Sequence, residues 1–124
     1  MHYRGKKCTY NGIDFDSIPE KDYYIKLLED KGVSNLQIHP KFILLEGFRN
    51  NEGKAIRSVT FKPDFMFNDH LGQKYIVDVK PNNKRLIDPD FMIRWKLLQS
   101  MYREQDIKFR LIAWDKKIKE FIEL

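Results

Sequence analysis

The stretch VTFKPDFMFNDHLGQKYIVDVKP, residues 59–81, reads as two strands around a turn, each carrying an aspartate among apolar neighbours. Asp64 follows Pro63, and Asp78 stands two residues before Lys80. A carboxylate in a half-buried strand costs several kcal/mol unless something pairs with it. Strand periodicity puts Tyr75, Val77 and Val79 on one face and Ile76, Asp78 and Lys80 on the other. On the preceding strand Phe61, Phe65 and Phe67 are expected to share a face, leaving Lys62, Asp64 and Met66 opposite. If the strands pair around the 68–73 turn, Asp64 and Asp78 approach each other. Two carboxylates that close do not both ionise without a cation. A lysine offsets part of the repulsion, and a divalent metal does so more fully.

Working outward, residues 6–16 read as a short hairpin around Asn11-Gly12, a dipeptide suited to a type I′ turn. Ser17 and Glu20 match a capping box, Pro19 suits a first turn and Gly32 a C′ position, predicting a helix over 18–31. Its apolar stripe is Tyr24, Leu27 and Leu28, with Tyr23 at the edge, while Asp22 and Glu29 face solvent. Glu20 falls in the middle of that stripe at about 100° per residue. It therefore reads two ways: as the second half of the capping box, or as an inward carboxylate joining the two aspartates.

Residues 35–48 hold one or two extended segments broken near Pro40, and 50–53 form a turn before a strand over 55–67. A polar loop, 81–89, precedes a helix over 90–104 whose stripe is Phe91, Trp95, Leu98 and Tyr102. A strand over 107–114 and an amphipathic tail close the chain. The order is helix, several strands, helix, strand, which predicts one α/β domain on a single mixed sheet.

At 124 residues the chain fits one domain with one core. Its 42% apolar and 14% aromatic content argues against disorder. The net charge of +5 favours polyanionic partners. Cys8 is the sole cysteine, so no intramolecular disulfide or CxxC zinc pair is possible, and a reducing, cytoplasmic setting is expected. The polar N-terminus has no apolar h-region and no run approaches a membrane span, so neither a secretory leader nor a membrane partner is expected. His2, His39 and His70 are scattered without metal-ligand spacing and are assigned no role. No Gly-rich phosphate loop or GxSxG motif is present.

Pro63-Asp64, then Asp78-Val79-Lys80, with Glu20 on an earlier helix, resembles the PD-(D/E)XK nuclease superfamily. That superfamily includes restriction enzymes and archaeal-type Holliday junction resolvases. Its restriction-endonuclease-like αβββαβ core matches the element order above over about residues 15–114. The segment Gly12-Ile13-Asp14-Phe15-Asp16-Ser17-Ile18-Pro19-Glu20 is similar to the opening of small phage-encoded, resolvase-like members.

The resemblance implies Asp64 and Asp78 as Mg²⁺ ligands, with the Val79 carbonyl and Glu20 completing the set and Mn²⁺ able to substitute. It implies that Lys80 orients or deprotonates the attacking water. Hard carboxylate oxygens suit Mg²⁺, which activates a water and neutralises charge on a phosphodiester in transit. The implied activity is a structure-specific DNA endonuclease acting in phage recombination or replication, as a homodimer on branched DNA. Within the fold the alternative is a flap, single-strand or site-specific nuclease. Outside it, the alternative is a nucleic-acid-binding protein without catalysis.

Lys96, Gln99 and Arg103 share one polar face of the second helix, read either as a solvated face or as phosphate contacts. Related nucleases place a Lys or Gln there, which makes Lys96 and Gln99 DNA-binding candidates. Lys84 and Arg85, in the loop after the Asp-Val-Lys strand, and Lys62 join them. Ile118, Phe121, Ile122 and Leu124 in the tail offer either a dimer contact or a face that packs back on the sheet.

Overall fold

Asn11 and Gly12 both take positive φ, 52° and 75°, as the tight turn between β1 (Cys8–Tyr10) and β2 (Ile13–Phe15) requires. The computed structural model describes residues 6–124, so His2 and the extreme N-terminus lie outside the described residues. α1 (Ile18–Glu29) starts at Ser17, whose Oγ accepts the Glu20 N–H at 3.2 Å, with Pro19 in the first turn. The helix stops short of residue 31 because Asp30 turns extended and its N–H bonds to the Leu27 carbonyl. Gly32 is not a left-handed cap: a Cβ there would stand 2.8 Å from His70 Cβ, so close approach to the 69–73 turn excludes a side chain. The inward stripe is Glu20, Tyr24 and Leu27, with Tyr23 packed beside Phe65. Leu28, expected inside, is exposed.

The chain then folds back on itself as one long, interrupted hairpin. β3 (Ser34–Ile38), β4 (Phe42–Leu45) and β5 (Phe48–Arg49) lead out; β6 (Ala55–Ile56), β7 (Val59–Phe61) and β8 (Phe65–Asn68) lead back. β5 pairs with β6, β4 with β7 and β3 with β8, all antiparallel. At the tip, Asn50 Oδ1 accepts the Glu52 and Lys54 N–H groups, fixing the turn.

β9 (Lys74–Val79) pairs antiparallel with β8 across a turn in which Asp69 Oδ1 accepts the Leu71 and Gln73 N–H groups. A short 3-10 turn, Lys84–Leu86, precedes α2 (Pro89–Met101), which ends three residues before the expected 104. β10 (Ile107–Asp115) lies parallel to β9, the chain having crossed through α2. The C-terminal tail is a strand, β11 (Glu120–Glu123), antiparallel to β10. Its Phe121 stacks edge-on against Trp114 at 5.0 Å, so the tail packs back on the sheet.

The result is a mixed five-stranded sheet in the order β11-β10-β9-β8-β3 with a helix on each face. Phe65, Phe67 and Val77 pack with Tyr24 and Leu27 of α1. Ile76 packs with Phe91, Trp95 and Leu98 of α2 on the other side. Phe61 belongs to the α2 side, not with Phe65 and Phe67 as strict alternation predicts. The strand breaks at Lys62–Asp64, where Pro63 has no N–H for a ladder, and the break resets the phase.

Candidate active site

The same break builds the site. β8 starts only at Phe65, so Asp64 lies outside the ladder, and its carbonyl accepts the His39 N–H at 2.9 Å from the opposite side of the hairpin. The Asp64 carboxylate turns toward the end of β9, where Oδ2 accepts the Val79 N–H at 2.7 Å. The β8–β9 ladder ends at the Phe65–Val77 pair, so the Val79 amide finds a carboxylate where a strand neighbour would otherwise be. Beyond Val79 the Lys80 N–H bonds to the Ile112 carbonyl of β10 at 2.7 Å, fixing the backbone on both sides of the Asp-Val-Lys segment.

Asp78 and Lys80 project to the α2 face together. Lys80 Nζ stands 3.1 Å from Asp78 Oδ1 and 3.4 Å above the centre of the Phe91 ring. Glu20 comes from α1 and is 2% exposed. Its two oxygens reach to either side of the helix start, neither of them to the Ser17 N–H that a full capping box would use. Oε2 accepts the Asp16 N–H at 3.2 Å, tying down the entry to the helix, while Oε1 lies 2.7 Å from His39 Nε2. One ligand atom each from Glu20, His39 and Asp64 fall within 4.8 Å of one another.

Glu20, Asp64, Asp78, Val79 and Lys80 line one cavity of about 540 Å³. Ser17 and Pro19 close it beside α1, and Leu86, Ile87, Asp88 and Phe91 close it beside α2. Burial, then the charges of Asp78 and Glu20, push the Asp64 carboxyl well above the usual aspartate range, against the Val79 amide and Lys80. Burial also raises Asp78, although Lys80 and a hydrogen bond with Asp64 pull it back. The hydrogen bond to Glu20 raises the His39 imidazole despite partial burial. Three buried carboxylates facing one cavity, with Lys80 and His39 beside them, fit a divalent cation with hard oxygen ligands.

None of the residues expected to touch DNA lines this cavity. Lys62, Lys84, Arg85 and Lys96 are exposed. Gln99 is half-buried, and its amide donates to the Trp95 carbonyl at 3.4 Å. Arg103 lies past the end of α2 and bonds back to the Ser100 carbonyl, so it does not share a helical face with Lys96. Lys7 and Asp16, to which sequence reasoning gave no role, are at the cavity wall.

His39, also assigned no role, is part of the cluster. Spacing along the chain could not reveal it, because its contact with Glu20 spans nineteen residues. The one local signal is the residue itself: His39 precedes Pro40 at the break between β3 and β4 and takes a left-handed φ of 51°.

Fold and site together define a small mixed α/β domain with an acidic, lysine-flanked cavity at the broken end of a central hairpin. The chain belongs to a family described as protein of unknown function (DUF1064), whose model matches residues 1–120. No curated protein and no solved structure matches it.

Proposed function

We propose that the protein is a metal-dependent DNA endonuclease of the PD-(D/E)XK superfamily, structure-specific and resolvase-like. The observation that carries this reading is the convergence on one cavity of Glu20 from α1, Asp64 from the break before β8, and Asp78 and Lys80 from the end of β9. The element order α1, β3, β8, β9, α2, β10 supports it, being the αβββαβ order of that superfamily.

Asp64 and Asp78, with the Val79 carbonyl and Glu20, would hold Mg²⁺ or Mn²⁺. The chemistry such an ion would supply, when bound, is a water of lowered pKa and neutralisation of charge on the phosphoryl oxygens. Lys80 is the chain's own contribution beside it. Its ammonium is confined between Asp78 Oδ1 and the Phe91 ring, so it presents a fixed positive charge to an attacking water and a phosphate oxygen. Leu86 and Ile87 give the cavity an aliphatic wall on the side of α2. Lys7 at the wall, with the exposed Lys62, Lys84, Arg85 and Lys96, would supply sequence-independent phosphate contacts.

One chain carries one such cavity among its described residues, whereas symmetric resolution of a four-way junction requires two incisions. A C₂ homodimer meets that need. Among the described residues no helix is long and apolar enough to cross a membrane. A DNA substrate and a free Cys8 accord with action in the cytoplasm.

The test is cleavage of a synthetic four-way junction beside a linear duplex of matched sequence, with and without Mg²⁺, alongside sedimentation. Mg²⁺-dependent incision of the junction by a dimer is expected. Junction binding without incision in any divalent ion would favour a binding protein, and equal cutting of both DNAs by a monomer would leave only a general nuclease.

A further inference from the structure

We infer that His39 is a nitrogen ligand of the metal centre and sets its preference toward Mn²⁺ over Mg²⁺; this rests on the nuclease reading of the same site.

The backbone places His39 there with little freedom. Its N–H is bound to the Asp64 carbonyl at 2.9 Å, its neighbour Ile38 is paired with Phe65, and Pro40 follows. The left-handed φ of 51° is sparsely populated for a side chain of this kind, and it is held from both sides by that pairing. The conformation delivers Nε2 to 2.7 Å from Glu20 Oε1 at the edge of the carboxylate cluster. The imidazole is only about one-third exposed, with Phe15 against it at 6.3 Å between ring centres.

The distances suit shared coordination. Two neighbouring ligands of an octahedral ion with bonds of about 2.1 Å lie about 3.0 Å apart. Nε2 and Glu20 Oε1 need to part by only a few tenths of an ångström to become such a pair, with Asp64 reaching the same ion from within the 4.8 Å cluster. A ligating ring carries its single proton on Nδ1 and gives the Nε2 lone pair to the ion; an imidazolium would first release its Nε2 proton to solvent.

Selectivity follows from the donor set. Mg²⁺ favours oxygen ligands and retained waters, whereas an imidazole among carboxylates shifts preference along the series to Mn²⁺ and beyond. A set made only of Asp64, Asp78, Glu20 and the Val79 carbonyl carries no such bias.

The test is pulsed electron paramagnetic resonance of Mn²⁺ bound to the untagged full-length chain, with equilibrium Mn²⁺ and Mg²⁺ titrations alongside. Nitrogen-14 modulation of the Mn²⁺ signal is expected in the wild type. It should vanish in His39→Asn, chosen because asparagine tolerates a left-handed φ. Mn²⁺ affinity should fall at least about tenfold in that variant while Mg²⁺ affinity changes less than about threefold. Protein carrying nitrogen-15 histidine with His2→Gln and His70→Gln, so that His39 is its sole histidine, decides the same question should His39→Asn fail to fold. Bound Mn²⁺ without histidine modulation, or with modulation that survives His39→Asn, would overturn the inference and leave the carboxylate centre standing. Absence of Mn²⁺ and Mg²⁺ binding would defeat the centre itself, and the inference with it.

Discussion

The two ends of the central hairpin are built from similar residues and treated very differently. At its base, β8 lies between β9 and the edge strand β3 with α1 packed on its face, and Phe65 is fully buried. The backbone breaks there, and each freed group finds a partner: His39 N–H with the Asp64 carbonyl, and Val79 N–H with the Asp64 carboxylate. At the outer end Ile43, Leu45 and Phe48 stand 43–48% exposed, and α2 reaches only as far as β4, through Phe42 against Tyr102. The base holds charge away from water, and the arm holds apolar side chains in it. The difference teaches where a carboxylate cluster can be kept: only where surrounding elements fix the backbone well enough to hold unfavourable groups together. An ion that binds the folded chain alone stabilises it by mass action, so in the proposed centre that unfavourable energy would become affinity for metal.

The sharpest way to break the contrast is at the aspartates. Asp78→Asn or Asp64→Asn should lower the cleavage rate at least about a thousandfold, the scale of several kcal/mol of lost charge stabilisation. DNA binding should be kept or tightened, since a negative charge facing phosphate is gone. The metal-free variants should be no less stable than the wild type, because a repelling buried charge is removed. Single-turnover cleavage, a binding titration and circular dichroism check the three parts. Robust cleavage by either folded variant would remove these residues from the site.

Glu20→Gln comes next. Glutamine still supports the helix start through its backbone N–H to Ser17 Oγ, so the fold should persist. The loss of one anionic oxygen should slow cleavage by about ten- to a hundredfold, the range for groups that orient or complete a metal site. A rate equal to the wild type would confine Glu20 to its bonds with the Asp16 amide and His39.

A smaller effect should appear in stability against pH. In the metal-free fold both aspartates are raised, so the folded chain binds more protons than the unfolded one as pH climbs from about 4. Stability held below that point is lost as pH rises through the folded values. His39, also raised, adds loss in the same direction above about 6.5. Divalent ion should restore it, so the rise in Tm on adding Mn²⁺ should be larger at pH 8 than at pH 5. Asp64→Asn should flatten the metal-free slope. A Tm gain from Mn²⁺ that is equal at both pH values would contradict the coupling.

Most of the fold was legible because periodicity reports burial. The inward Glu20 and Lys80 beside Asp78 could be read from spacing within single elements, and the aspartate pair from two strands pairing across the 68–73 turn. What spacing missed lies at breaks. Alternation carried through Pro63 gave Phe61 the wrong face, since a proline interruption resets the phase. The 115–124 tail read as merely amphipathic because a four-residue strand after a turn gives too short a pattern to separate from a helix. His39 was invisible because its role depends on long-range geometry, while its local pattern is one residue before a proline.

The smallest expected effect tests the arm. Ile43 is 43% exposed, and β4 meets β7 through Ile43 opposite Thr60. Ile43→Thr keeps a β-branched side chain with good strand propensity and gives the exposed position a hydroxyl that water can satisfy. Stability should change by no more than about 0.5 kcal/mol, as for surface positions free of buried networks. The Mn²⁺-induced rise in Tm should match the wild type, because none of the cavity-lining residues belongs to the arm. Urea denaturation with the fitted slope held in common measures the first, and thermal melts with titrated Mn²⁺ measure the second. A loss above about 1.5 kcal/mol would mean that Ile43 is covered in solution, and the arm would then have to be counted with the base as a packed part of the molecule.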